Sequence, residues 1–469
     1  MKIFQIPILI ISILISSCGV EYKPPNLGTL YSRSAQSTDL NRNPVIVIPG
    51  MLGSKLINKT TGQIVWGAFE KDYANPKERE GAMLIAHPMG KSKSLSELRD
   101  NVYPDGALDR VRVRIFGLSF NLNAYVNILS SLGVGGYVDE TLAEGGFVDY
   151  GDKHFTCFQF AYDWRRDNVE NAKLLHKFIL EKRNYIRGEI KRRYGVDKDD
   201  IKFDIVAHSM GGLVTRYFLR YGDANLPENE DNFEITWKGA NYVDKVIIVG
   251  TPNAGSLNAL DQLVNGKKIG PFLPTYTSTI ISTMPSVYQL LPRTRHKRVL
   301  DEDGKPIDIL DPDTWNKYRW GLANDNRAAE LKKLFPEDLD ESIIKETAQD
   351  HLEKSLRRAK LFHKSLDIPA APPDSLKLYL IAADAVQTPS VITVDNITGE
   401  LKLKEKAPGD GTVLRASALM DERQGANWSP RLITPISWSS VMFIFNDHLG
   451  MTKDPVFTDN MLYILLEQS

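Results

Sequence analysis

The chain is predicted to be an α/β protein, a mostly parallel sheet flanked by helices with an inserted, largely helical cap. Three observations lead there. Short apolar runs rich in β-formers alternate with amphipathic helical segments, as in chains whose strands are joined by helical crossovers. One of these units, residues 201–220 (IKFDIVAHSMGGLVTRYFLR), reads as a strand, a tight turn and a helix. The alternation then stops between about 257 and 366, where polar turns and one long amphipathic segment replace strand patterns.

The elements follow in order. Pro44-Val45-Ile46-Val47-Ile48 is a continuous apolar run ended by Pro49-Gly50, the pattern of a central strand buried on both faces. Residues 54–100 read as loop-rich and contain Trp66. Helical spacing at Leu122, Tyr125, Val126, Leu129 and Leu132 predicts a helix over 121–133, closed by Gly133. A strand over 155–162 precedes Asp163-Trp164-Arg165-Arg166, and a long helix runs from about 171 to 193 with basic residues at the end that suits its dipole. Lys245–Val249 continues the sheet and closes in Gly250-Thr251-Pro252. Within the cap a helix is expected around 341–364. Strand character resumes at 376–382, and 391–403 reads as a hairpin turning at Thr398-Gly399. The expected organisation is therefore a core over 43–256, a cap over 257–366 and the rest of the core over 367–469.

With 469 residues there is room for one large α/β domain with insertions, or for two domains. A hydrophobic fraction of 42% and a charged fraction of 25% exclude wholesale disorder. Lys+Arg 58 against Asp+Glu 59 leaves a formal charge of -1, so no nucleic-acid footprint is present. The first residues are a leader: Met1-Lys2, an apolar run from Ile3 to Ile15, then Ser16-Ser17-Cys18. This resembles a bacterial lipobox, with a signal peptide over 1–17, acylation of Cys18 and a flexible tether over 18–42. It implies a membrane-anchored lipoprotein of the bacterial envelope, in a Gram-negative host at the outer membrane, facing periplasm or surface. The alternative is an ordinary secretory signal in which Cys18 has no role. With Cys18 lipidated, Cys157 lacks a disulfide partner and reads as a small buried hydrophobe. The eight histidines are scattered, with no HExxH and no CxxC, so a site without metal or cofactor is expected.

The chemistry centres on Ala207-His208-Ser209-Met210-Gly211. A serine between strand and helix is pushed out of the sheet by a tight turn, and the small residues two positions away let strand and helix approach. The helix start beside it also favours developing negative charge. A plain helix N-cap serine is the other reading. A nucleophilic serine needs a base and an orienting carboxylate, which in the α/β-hydrolase fold follow in the order acid, then His. Of the later histidines, His296, His351 and His363 fall in the cap, leaving His448 in a polar loop after a strand-like run. Asp410, between Gly409 and Gly411, and Asp384, after a buried strand, are rival acids; Asp410 also fits an ordinary hairpin turn. Asp447 is too close to His448 in the chain to reach its imidazole from another element. The N–H of Met210 and that of Met51, in Pro49-Gly50-Met51-Leu52-Gly53-Ser54, are the expected oxyanion donors.

Taken together and in order, residues 43–56 (NPVIVIPGMLGSKL), Tyr162-Asp-Trp-Arg165, Ala207-His-Ser-Met-Gly-Gly212, Gly250-Thr-Pro252 and Gly409-Asp-Gly-Thr-Val413 resemble the lecithin:cholesterol acyltransferase family. That family includes lysosomal phospholipase A2 and phospholipid:diacylglycerol acyltransferases. The resemblance spans roughly Asn43 to His448. It implies an α/β-hydrolase core with cap and lid, and an acyl-enzyme on Ser209 with Asp410 and His448. It also implies oxyanion donors at Met51 and Met210, and a lid tryptophan at Trp66 touching acyl chains; core packing is the other reading of Trp66. Two departures stand out. The disulfide that clips the lid loop in animal members is absent, which predicts a more mobile loop around Trp66 or no lid there. Ala207 replaces the first elbow glycine.

The expected function is a serine hydrolase or O-acyltransferase of lipid acyl esters, a phospholipase A, lipase or lipid acyltransferase. Its partners would be a lipid or other acyl-ester substrate and, through the anchor, a membrane. The alternatives are an esterase on a non-lipid acylated substrate such as a glycan, and a non-catalytic lipid-binding surface lipoprotein.

Overall fold

Six apolar runs form the central sheet: β1 (Val45–Ile48), β2 (Cys157–Gln159), β3 (Phe203–His208), β4 (Val243–Val249), β5 (Lys377–Ala383) and β6 (Ser440–Ile444). In the computed structural model they lie in the order β6-β5-β4-β3-β1-β2, every neighbouring pair parallel. Residues 23–37, 40, 42–69, 73–107, 110–115, 118–123, 125–149, 151, 154–227, 233–269, 274–426 and 429–468 are described. The proposed leader and Cys18 lie outside them.

The period of two along each strand sends alternate side chains into two cores. Ile46, Ile48, Phe203, Ile205, Val246 and Ile248 face a core shared with the insertion. Val45, Val47, Cys157, Val206, Ile247 and Ile381 face a second, smaller core. The helices that cover the sheet are α1 (Val126–Val134), α2 (Asn168–Tyr194), α3 (Met210–Tyr221), α4 (Leu257–Asn265), α5 (Glu341–Asp367) and α6 (Pro455–Leu466). Helices α2 and α3 cover the first face, α1 and α6 the second, and α4 and α5 belong to the long insertion between β4 and β5. Burying both faces explains why these strands read as unbroken apolar runs rather than alternating ones. Cys157 is a buried free thiol in the second core, as its apolar surroundings predict.

Three expectations need correction. The stretch over 54–100 is not merely loop: Ser54–Asn58 pairs antiparallel with Ile64–Trp66 and with Val102–Ala107. Ile64–Trp66 is too short to show alternation, and Pro104 and Gly106 interrupt the pattern of Val102–Ala107. The helix expected over 121–133 starts later, at Val126, because Leu118–Asn123 is a strand paired with Arg110–Ile115. The described part of the expected tether is docked rather than free. Leu27–Leu30 and Ser32–Gln36 are helical, and buried Tyr31 donates its hydroxyl to the Asp459 carboxylate at 2.7 Å. One aromatic anchor outweighs a Ser- and Asn-rich composition.

Arg165, of the Tyr162–Arg165 motif, ties the segment over 84–100 to the core. Its fully buried guanidinium holds Asp163 through two parallel bonds of 3.0 and 2.8 Å and Asp100 at 2.9 Å. It also donates to the Leu84 and Ala86 carbonyls at 2.9 and 3.1 Å. Removing one member of a buried ion pair strands the others, at a cost of roughly 3–5 kcal/mol. Arg165→Ala is therefore expected to lower unfolding free energy by that amount in urea denaturation; a loss below about 1 kcal/mol would contradict this role.

Candidate active site

The site gathers at the carboxyl ends of the parallel strands, where an α/β sheet presents its loops. Ser209 follows β3 directly, with φ 52° and ψ −126°, a sparsely populated conformation that costs on the order of 1–3 kcal/mol. Surrounding contacts hold it there. The Ser209 N–H donates to Val249 O at 2.8 Å, and Thr251 Oγ1 donates to Ser209 O at 2.8 Å. A methyl on Gly211 would stand 2.5 Å from Pro49 O, and one on Gly212 would run into the Thr251 hydroxyl. These close approaches explain both elbow glycines and the Gly250-Thr-Pro252 segment. The single methyl of Ala207 is accommodated, fully buried, on the forward side.

Ser209 occupies the N-cap position of α3, but its side chain makes no capping bond. Instead its Oγ lies 3.0 Å from His448 Nε2, and His448 Nδ1 lies 2.7 Å from Asp410 Oδ2. Asp410 is buried, and its other oxygen accepts the Thr412 and Val413 N–H groups at 2.9 and 2.6 Å. Those two donors fix the carboxylate so that one oxygen is left for the imidazole. The His448 N–H also donates to Asp410 O at 2.9 Å, tying the two loops together.

The rivals are engaged elsewhere. Asp384 lies 3.6 Å from Arg415, and Asp447 accepts the Leu449 and Gly450 N–H groups of its own loop. His296 meets Glu422, and buried His351 and His363 meet the carbonyls of Thr283 and Gln289.

The Pro49–Ser54 segment rests directly on the serine: a methyl on Gly50 would stand 2.7 Å from Ser209 Cβ. Gly53 N–H donates to Gly50 O at 3.0 Å, closing a turn whose third residue, Leu52, has φ 63°, the sign a type II turn requires there. Aromatic side chains pin this turn. Tyr162 Oη donates to Pro49 O at 2.8 Å, Trp66 Nε1 to Leu52 O at 2.7 Å and Trp164 Nε1 to Ser54 O at 3.2 Å. Gly50 N–H donates to Tyr125 Oη at 2.7 Å. Among the described residues the N–H groups of Met51 and Met210 meet no acceptor. Trp66 lies in the pocket wall, edge-on to Trp164 at 5.8 Å and beside Tyr276 at 5.9 Å. The indole is thus buried and packed into the pocket wall.

Sequence reasoning missed Tyr125 and His208. Buried His208 has Nε2 3.1 Å from His448 O and Nδ1 3.1 Å from Tyr125 Oη. Burial, reinforced by neighbouring His448, pushes its pKa down to about 3, so the ring is neutral. A carbonyl only accepts, so Nε2 carries the proton and Nδ1 accepts from the Tyr125 hydroxyl. The Tyr125 oxygen in turn accepts from Gly50. One directional relay therefore links the Gly50 turn to the His448 loop. His208 lies within the 207–211 pentapeptide, but only the fold brings Tyr125 to it.

These groups open into a cavity of about 540 Å³ lined by Met51, Leu52, Trp66, Leu290, Val413 and Leu449, a volume within the range of ligand pockets.

A sequence model of the lecithin:cholesterol acyltransferase family matches residues 140–349, which include Ser209 but neither Asp410 nor His448. A lysosomal phospholipase A and acyltransferase of Canis lupus familiaris is 31% identical over 171 residues, 36% of this chain. The match spans 35% of that relative, about a third of its length. Among solved structures, a chain of the crystal structure of the Tle4-Tli4 complex superposes with a TM-score of 0.59 at 16% identity. It covers 92% of this chain and 99% of that one, a likeness of fold. Over residues 140–349 the chain is similar to the lecithin:cholesterol acyltransferase family, and as a whole it has the α/β-hydrolase fold.

Proposed function

We propose that the protein is a serine hydrolase or O-acyltransferase of lipid acyl esters, working through an acyl-enzyme on Ser209. The observation that carries this reading is the hydrogen-bonded chain Ser209–His448–Asp410 opening into a largely apolar pocket. Ser209 Oγ attacks the ester carbonyl carbon while His448 Nε2 takes its proton. Asp410, fixed by two backbone donors, orients the imidazole and stabilises the imidazolium. The carbonyl oxygen becomes an oxyanion that receives the N–H groups of Met51 and Met210. As the carbon–oxygen bond to the alcohol breaks, His448 returns the proton to the leaving oxygen. Water or a second alcohol, activated by the same histidine, then takes the acyl group from Ser209 and yields a free acid or a new ester.

His208 serves this cycle by staying neutral. A second cation beside His448 would oppose the imidazolium that forms there. Acylated Cys18 would hold the enzyme at the bacterial envelope, next to membrane lipids; that part rests on the leader sequence. The resemblance of the matched segment to a phospholipase A and acyltransferase supports a lipid ester over an acylated glycan.

Two measurements test the reading. Ser209→Ala and His448→Ala should each lower kcat for p-nitrophenyl ester turnover by about 10³-fold or more, and Ser209→Ala should abolish fluorophosphonate labelling. Full turnover in either variant would overturn the proposal. Tyr125→Phe strips Gly50 N–H of its acceptor and His208 Nδ1 of its donor. It should lower kcat about 10-fold while moving KM less, because the groups it loosens act on the transition state. A change confined to KM would contradict the positioning role given to the relay.

A further inference from the structure

Most polar groups around the pocket are already committed. Ser256 Oγ donates to Thr412 O, Asn258 Nδ2 to Gly411 O, and the Ser209, His448 and Asp410 side chains serve one another. Gln262 and Lys267 are different. Both line the pocket, Gln262 from the last turn of α4 and Lys267 from the short strand Lys267–Lys268, which pairs with Thr275–Tyr276. Among the described residues neither side chain has a hydrogen-bond or ion-pair partner. The environment of Lys267 is correspondingly unfavourable to charge: burial lowers the amine pKa, and no carboxylate acts against that. The apolar side chains of the same pocket, Trp66, Ile269 and Leu290 among them, supply no compensating acceptor.

A half-buried cation without a counter-ion leaves the empty site less favourable, and an anion arriving with a ligand offsets that cost. We propose that Lys267, with the Gln262 amide, forms an anion subsite inside the pocket, so that the acyl ester it favours carries an anionic group, phosphate or carboxylate. The amine gives the charge attraction, and the amide donates a further hydrogen bond to the same oxygens. This rests on reading the pocket as an acyl-ester site. It narrows the substrate class from acyl esters in general to those that carry an anionic group, ahead of uncharged esters with the same acyl chain.

The test is made in Ser209→Ala protein, where binding is read without chemistry, using octyl phosphate, octanoate and neutral octyl glucoside in calorimetry. At least one anion should bind about 10-fold or more tightly than the glucoside, and the stronger of the two identifies phosphate or carboxylate. Adding Lys267→Met should remove that preference, and adding Lys267→Arg should keep most of it. In the active enzyme, Lys267→Met should lower the turnover ratio of phosphatidylglycerol to diacylglycerol by a similar factor. Equal affinity for all three amphiphiles, or a preference that survives Lys267→Met, would overturn the proposal. Because the binding measurements omit Ser209, a failure of the acyl-enzyme reading would leave them unchanged, and the two failures are told apart.

Discussion

The site depends on how firmly the Pro49–Ser54 turn is held against Ser209. An oxyanion hole accelerates acyl transfer only if its donors already point where charge will develop; a loop that must reorganise at that moment forfeits the gain. Here the turn is pinned at the Pro49, Leu52 and Ser54 carbonyls by Tyr162, Trp66 and Trp164 and at the Gly50 N–H by Tyr125. Each bond is worth about 0.5–1.5 kcal/mol net. Together they select one conformation, with Leu52 at positive φ and the Met51 N–H without a protein acceptor. The same turn sets the spacing of the elbow, since Pro49 O lies against Gly211 and Gly50 against Ser209.

The clamp extends into the other half of the site through His208. Its neutral ring joins Tyr125, which holds the Gly50 turn, to the backbone of the His448 loop. The two loops leave the carboxyl ends of β1 and β6, with β3, β4 and β5 between them, so nothing in local sequence would keep them in register. Asp410 closes the arrangement from the third side, fastened to His448 by both backbone and carboxylate. The strain at Ser209 is sustained because its neighbours are fixed independently of it.

Much of this was legible in the sequence, for reasons that differ by element. The central strands stood out because burial on both faces removes all polar residues from β1, and the elbow because a tight turn tolerates only small neighbours. The acid was not decided by spacing: Asp410 and Asp384 both followed plausible local patterns, and the resemblance favoured the one that reaches His448. The small sheet around Trp66 escaped notice because Ile64–Trp66 is too short to show a period and Val102–Ala107 is interrupted by Pro104 and Gly106. Tyr31, which docks the segment expected to be a tether, illustrates the same limit: a single anchoring contact is invisible to composition. Tyr125 and Lys267 owe their positions to long-range packing, and the roles argued for them could not be read from their local sequence.

The central claim is that the turn is preorganised around the oxyanion before substrate arrives. A crystal structure of the protein with Ser209 phosphonylated by a short alkyl phosphonate tests it most directly. The account predicts a phosphonyl oxygen about 2.7–3.1 Å from the backbone nitrogens of both Met51 and Met210. It also predicts a Pro49–Ser54 turn unmoved from the unreacted protein, with the Tyr125, Trp66 and Tyr162 bonds intact. A phosphonyl oxygen turned away from the Met51 nitrogen, or a turn that must break those bonds to reach it, would contradict the account.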